Sequence, residues 1–532
     1  MATIVNFGNK QLIEPGSSAR ILGGSTPTPS PSTFGNVLLI DTGVGAAYGG
    51  GGGVNGTITK DKAAIYEMTD PLAAKWFFKG GIFYDLVDYL FAPTTKGAGI
   101  PKLIYIKGAT TAPATKVLTF TNGAFTLRAK NEGLVGNGVI TSSLIRSGYG
   151  VKLKAGVINT AKFILEISEG TFRGLDADSE PWDGNVSTKC TPILYESSEV
   201  ATLAELKAWM DSNQTFQSNF DYTSYSATGG GTIVAGDITS LSLAVFTGGT
   251  ETYGSTDIDK AISYAEDIDH TFFLCDGYEA NVGGANNNKI LTNILGSANT
   301  KFMVVGGSKN STNFATQSIA AAQAYDSQNV ILVHSAPQIT NVTKGFGLKD
   351  KTSLHSAALV LGRIAGLSPQ VPATWKDIRM SSPVHDLTKN ERIQALQAGV
   401  LHFKKVDSLG WVINQSINTL QNNTIQILPN GSSFEISIMR IAAQLNKELQ
   451  SNVNKIFIGG NANLSSPVEV KSFIENYLQG KVATKSEDDL ILSYKNVVVT
   501  LNNDTLDTRY EFMPNGPVNK FLATGFMLNV KL

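Results

Sequence analysis

Thr388-Lys389-Asn390-Glu391-Arg392-Ile393-Gln394-Ala395-Leu396-Gln397-Ala398-Gly399-Val400-Leu401 opens the last third of the chain and sets its type. A Ser or Thr followed three residues later by Glu satisfies two free amides at a helix start, so Thr388 and Glu391 mark a beginning. Ile393, Leu396, Val400 and Leu401, spaced by three and four, predict the buried stripe of that helix. Two further boxes follow. Ser432 with Glu435 precedes Ile438, Ile441, Ala442, Leu445 and Leu449 as an inner face. Ser466 with Glu469 precedes Val470, Phe473, Ile474, Tyr477 and Leu478, with Pro467 at the first helical position, where its missing N–H costs nothing. Strand-like runs lie at 411–420 and 497–501, and a last one at 521–530 closes the chain. Residues 388–532 therefore read as an α+β unit that ends in a strand and carries almost nothing able to do chemistry.

Upstream, from about 241 to 366, the rhythm is strand, helix, strand, helix. Strands at 241–246, 271–275, 302–305 and 330–333 alternate with helices at 257–268, 288–295, 314–325 and 353–367. Continuous apolar strands between helices predict a parallel sheet covered on both faces. Residues 37–40 read as another buried strand. Between about 66 and 140 a helix at 72–90 precedes strands at 103–107, 116–120 and 125–129. From about 140 to 240 the texture becomes short alternating strands, such as 162–168, parted by Gly, Asp and Ser. One helix capped by Thr202 and Glu205 and carrying Leu206, Trp209 and Met210 interrupts them.

The expected organisation is an N-terminal arm (1–35), an α/β segment joining the central part (36–139), a β-rich inserted outer domain (140–240), a central parallel α/β domain (241–380) and an α+β C-terminal domain with a terminal strand arm (381–532). The fold class is multidomain α+β / α/β. At 532 residues the chain is too long for one core.

Forty-three basic residues against 44 acidic ones leave a net charge of −1, so no electrostatic case exists for nucleic acid or an anionic membrane as partner. Charged residues make up only 16%, against about 25% on average. A surface built on Asn, Ser, Thr and Gly suits large faces packed against other subunits. It equally suits a secreted β-rich protein. Cys190 and Cys275 form neither a disulfide framework nor a metal cluster. With no basic lead or apolar leader at the start and no long apolar run, a soluble product made in the cytoplasm is expected, without membrane insertion.

Chemistry finds few footholds. Gly43-x-Gly45 and the run Gly49 to Gly53 lack the Gly-Lys-Ser/Thr of a phosphate loop, and Tyr48 stands where a third glycine belongs, so a flexible loop is the better account. An open parallel sheet binds ligands beyond its strand ends, which here carry Asp276, Ser308 with Lys309, and His334 with Ser335. Asp276, His334 and a serine could form a nucleophilic triad. No Gly-x-Ser-x-Gly elbow occurs, and these residue types are ordinary loop formers. His270, His334, His355, His385 and His402 lack metal-ligand spacing, and His355 and His402 fall in expected helices. Asp267-Ile268-Asp269-His270 reads as a helix end. No catalytic residue, cofactor or metal is expected.

Several short landmarks, in their order, resemble those of contractile tail sheath proteins of myophages and related contractile injection systems. Phe125-Thr126-Leu127-Arg128-Ala129-Lys130-Asn131-Glu132-Gly133-Leu134-Val135-Gly136-Asn137 is similar to the family's strand and Gly-Asn turn. Phe246-Thr247-Gly248-Gly249 is similar to its Gly-Gly turn. Residues 358–367 followed by Pro372-Ala373 resemble its Ala-Gly helix and Pro-Ala turn. Then come the Thr388 helix, Gly410-Trp411-Val412, Thr419-Leu420, Met439-Arg440, and Phe457 with Asn461. Asn418 stands where the family often has Arg, and Ala398-Gly399-Val400-Leu401 replaces Gly-Ile-Asn.

The resemblance implies a structural subunit without catalysis, polymerised as hexameric rings stacked helically around a tail tube protein and contracting to drive the tube through the host envelope. It implies baseplate and tail terminator proteins as further partners, a place in the virion tail, and assembly in the host cytoplasm. It also implies that both chain ends add strands to neighbouring subunits. Ile4, Val5 and Phe7 at one end and Phe521, Phe526, Leu528 and Val530 at the other are the candidate arm residues. Glu469, Lys471 and Glu475 on the third helix are candidates for facing the tube, with a solvated face as the plainer account. The alternatives are another self-assembling surface or fibre protein and, further off, a hydrolase on the central sheet.

Overall fold

The computed structural model describes residues 5–7, 10–12, 35–41, 65–78, 81–94, 99–107, 110–132, 136–141, 144–169, 193–252, 257–266, 268–279, 292, 300–341, 347–420, 434–456, 466–483, 490–502 and 505–515. Its centre is a seven-stranded sheet in the spatial order Val400–Leu401, Val330–Val333, Phe302–Gly306, Phe272–Glu279, Val37–Asp41, Leu103–Lys107, Ile65–Met68. All neighbours run parallel except Ile65–Met68, an antiparallel edge.

The strands are apolar at consecutive positions because both faces are covered, and the two-residue period of a strand deals their side chains to opposite sides. Val37, Leu39, Leu103, Tyr105, Phe272, Leu274, Val304 and Val333 enter one core with helices Gly81–Phe91 and Ser353–Ala365. Leu38, Ile40, Ile104, Ile106, Phe273, Met303, Val305 and Leu332 enter a second, under helix Asp257–Glu266 and the segment 314–325. Helix Ser353–Ala365 is buried at every position, in keeping with its central place across three strands.

Two four-stranded antiparallel sheets share a third core. One is ordered Ile193–Glu196, Phe163–Glu169, Tyr149–Ala155, Ala244–Val245, the other Phe220–Ala227, Gly123–Glu132, Thr110–Phe120, Thr250–Thr252. Tyr149, Phe125, Phe216, Phe220 and Phe246 are fully buried between them. The expected strand at 241–246 thus belongs here and not to the parallel sheet: Gly150 and Val151 pair with Val245 and Ala244. Leu241 and Phe246 bury in this core while Leu243, Ala244 and Val245 are half-buried, a short apolar run that periodicity alone cannot distinguish from a strand of a parallel sheet.

The Thr388 box forms as expected. Glu391 N–H donates to Thr388 Oγ1, and the Glu391 carboxylate accepts from Thr388 N–H at 2.8 Å. The stripe does not form. The helix runs Lys389–Gln397, Ile393 is 47% exposed, and Ala395 and Ala398 make the contact instead. Gly399 at φ +75° ends the helix, and Val400–Leu401 leaves as the edge strand of the central sheet. The run at 411–420 is a strand only over Gly410–Ile413, paired with Phe403–Val406. His402 lies between two strands rather than in a helix. The expected helix at 314–325 is a π-helical turn, Phe314–Ile319, continued by α-helix Ala320–Tyr325.

Helix Ile436–Ile456 buries Ile438, Ile441, Ala442, Leu445 and Leu449, the face its spacing predicts. Ser432, the glycine run 49–53 and Cys190 lie outside the described residues. Among the described residues no helix is long and apolar enough to cross a membrane.

Candidate functional site: an open ribbon and its supporting framework

Strands Ile491–Asn502 and Thr505–Pro514 form a two-stranded antiparallel ribbon. One face is anchored. Ile491, Val497, Val499, Leu506, Tyr510 and Phe512 pack on Val470, Ile474 and Leu478 of helix Ser466–Gln479 and on Leu445 and Leu449 of helix Ile436–Ile456. Polar contacts fix the angle. Tyr510 donates to Asn446 Oδ1 at 2.6 Å, Tyr477 donates to Glu448 at 2.5 Å, and Lys481 donates to the same Glu448 oxygen at 3.1 Å. Burial, then the neighbouring Glu448 carboxylate, holds the Tyr477 hydroxyl well above the usual phenol range.

Among the described residues the other face and most of both long edges are open. Leu492, Val498 and Met513 are 48, 50 and 40% exposed. Among the described residues neither strand of the ribbon pairs with a third, apart from a single parallel bridge between Val482 and Ile491. Isolated two-stranded ribbons are marginal in water, and three or more strands or a packed helix are needed for stability. This one has its helix, two register shifts and Asn496 at φ +56°, and among the described residues no further strand covers most of either side.

The framework behind it is tied by the landmarks singled out in the sequence. Asn137 and Gly249 exchange hydrogen bonds, Asn137 Nδ2 to Gly249 O and Gly249 N to Asn137 Oδ1, both 2.8 Å. Gly248 takes φ +80° in that turn. Thr419 donates through N to Val330 O at 2.9 Å and through Oγ1 to Ser327 O at 3.0 Å. Trp411 Nε1 donates to Ser381 O at 2.8 Å, and the fully buried Arg440 donates to Leu367 O at 2.5 Å. A Cβ at Gly399 would sit 2.8 Å from Asn418 O. These positions are joints between segments distant in sequence and directed at backbone; Thr419, Arg440 and Gly399 are buried, Asn137 half-buried.

Val5 and Phe7 fall in strand Val5–Phe7, which pairs with Lys10–Leu12 as a short hairpin. Ile4, Phe521, Phe526, Leu528 and Val530 lie outside the described residues. Glu469 and Lys471 are exposed on helix Ser466–Gln479 and Glu475 is half-buried, with Lys471 and Glu475 3.8 Å apart one turn along. The hydroxyls at the strand ends are engaged with backbone: Ser308 Oγ donates to Asn310 O at 2.7 Å and Ser335 Oγ to Lys309 O at 3.0 Å. The serine that meets His334 is Ser318, at 2.9 Å from Nδ1, inside the π-helical turn and fully buried. No sequence spacing signalled that pairing. Among the described residues no group of His, Cys, Asp or Glu could hold a metal ion.

No family model matches the chain. A tail sheath protein of Bacillus phage SP01 is 25% identical over 226 residues, 42% of this chain, and the chain spans 37% of that relative's length. The crystal structure of the sheath tail protein from Desulfitobacterium hafniense is similar over 91% of this chain and 96% of its own, with a TM-score of 0.54 at 15% identity. That of the sheath tail protein from Listeria innocua covers the same shares, with a TM-score of 0.52 at 13% identity. The resemblance drawn from the landmarks therefore holds at both levels: this chain is similar in sequence to a phage tail sheath protein, and its fold is that of solved sheath tail proteins.

Proposed function

We propose that the chain is a structural subunit of a contractile tail sheath, without catalytic activity, that polymerises helically around a tail tube and contracts to drive it through the host envelope. The observation that carries the reading is the ribbon, open on two edges and one face, in a chain that shares its fold with sheath tail proteins over 91% of its length. Strand addition supplies affinity through backbone hydrogen bonds and register through alternating side chains, so an open ribbon is a suitable acceptor for a donated chain end. In this reading the arms around Ile4, Val5 and Phe7 and around Phe521, Phe526, Leu528 and Val530 reach ribbons of neighbouring copies. The arms keep subunits connected while nearly rigid bodies exchange one packing for another.

Hexameric rings, a tube contact near Glu469, Lys471 and Glu475, baseplate and tail terminator partners, and assembly in the host cytoplasm belong to the same proposal. So do the divisions at 35, 139, 240 and 380. Electron microscopy of the expressed full chain tests it. Hollow tubes of uniform width are expected, whereas flat lattices or small monodisperse particles would overturn it.

A further inference from the structure

The first described element of the chain is itself a two-stranded sheet. Strand Val5–Phe7 pairs antiparallel with Lys10–Leu12, in the register Val5 with Leu12, Asn6 with Gln11 and Phe7 with Lys10. Gly8-Asn9 joins them, a dipeptide of the kind that two-residue hairpin loops favour. Directly opposed residues share a face and successive residues alternate, so Val5, Phe7 and Leu12 belong to one side with Lys10, and Asn6 and Gln11 to the other. Among the described residues neither strand of this hairpin pairs with a third.

Two incomplete sheets thus stand near the two ends of the sequence, the hairpin at 5–12 and the ribbon at 491–514. A hairpin with three residues a side is marginal alone in water, and a third strand is what stabilises it. Its outer edges carry the N–H and C=O groups that strand addition uses. Residues 13–34, which include Pro27, Pro29 and Pro31, separate it from Gly35 and strand Val37–Asp41. At about 3.3 Å per extended residue these 22 positions allow a reach of up to about 70 Å. That length suffices to cross to a neighbouring molecule.

We propose that the N-terminal end is delivered to the ribbon of a second copy as this preformed hairpin, two strands together, and that the product is a four-stranded sheet shared between two molecules. The inference rests on the strand-donation reading above and adds the form in which the donor arrives. A lone strand Val5–Phe7 would have to give up its three pairings with Lys10–Leu12 before gaining any at the ribbon. The intact hairpin keeps them, supplies both sheets with the neighbour they lack, and leaves less backbone to be ordered on docking. Its apolar and amide faces differ, so the two ways up are unequal and the register is set.

The test locks or breaks the hairpin in the full chain. Asn6→Cys with Gln11→Cys puts two thiols at directly opposed positions, whose Cα atoms lie about 4.5–5.5 Å apart, within disulfide range. Oxidised with glutathione disulfide and followed by light scattering and electron microscopy, the locked chain should form tubes at least as fast as wild type. Wild type treated alike controls for Cys190 and Cys275. Gly8→Val places a β-branched side chain in the two-residue loop, where positive φ is demanded. It should slow tube formation by about tenfold, because fewer arms are in the docking form, and leave urea unfolding unchanged. A locked chain that makes no tubes until dithiothreitol is added would overturn the hairpin, as would a Gly8→Val chain that assembles at the wild-type rate. Normal tubes from a chain lacking residues 1–20 would instead remove strand donation by this end altogether, and the hairpin proposal with it.

Discussion

Asn137 satisfies both backbone groups of Gly249, a residue 112 positions away, with the two ends of one amide. Asn137→Ala strands both groups, and the expected loss is about 2 kcal/mol in urea unfolding. Gly399→Ala should cost about 1–3 kcal/mol, because its φ of +75° opposes a side chain and the added Cβ meets Asn418 O. Histidines act together. His270 and His334 are pushed down to about 3 and His402 to about 4, chiefly by burial, and buried His355 is also lowered. Each folded value lies below the unfolded one near 6.5, so below that pH the unfolded chain binds more protons and stability is lost as pH falls. For His270 and His334, whose folded values lie well below the window, the loss approaches about 1.4 kcal/mol per pH unit for each group between about pH 6 and pH 4. Urea midpoints measured from pH 7 to pH 5 should fall steeply. A flat profile would show that these rings are not neutral in the fold.

At the scale of elements, the ribbon separates folding from assembly. Val498→Lys on its open face should change unfolding free energy by less than about 0.5 kcal/mol, since half of that side chain already meets water. It should nonetheless lower the yield of tubes seen by electron microscopy. Elements whose pattern has one cause were legible in the sequence: Phe272 to Leu274, Phe302–Gly306 and Val330–Val333 are apolar because both sheet faces are covered, and the Thr388 box opens its helix. Elements with two causes were not. In Thr505–Pro514, Asp507, Arg509 and Glu511 alternate with Leu506, Tyr510 and Phe512 on the core side, but Thr508 breaks the apolar series, so the two-residue period is carried by only three residues and the strand was missed. The stripe at Ile393 failed because Val400 and Leu401 serve the sheet, not the helix. The contact of Ser318 with His334 depends on a π-helical turn, which shifts the face on which a serine lies and leaves no trace in a 3.6-residue pattern.

For the whole molecule, several landmarks on which the family resemblance was read fall at joints between segments distant in sequence, among them Asn137 with Gly249, Thr419 with Ser327 and Trp411 with Ser381, while Phe457 and Asn461 lie outside the described residues. Removing residues 1–20 or 516–532 should leave the unfolding transition of the three larger cores in place while abolishing tubes. Wild-type tube formation by either truncation would remove the donated-arm proposal. The double-sheet body between Thr110 and Thr252 follows strand Leu103–Lys107 after two residues and precedes helix Asp257–Glu266 by four. The core between these two connections is self-contained. Such a body is free to vary: a lineage could enlarge it, trim it or exchange it wholesale without rewriting the central sheet.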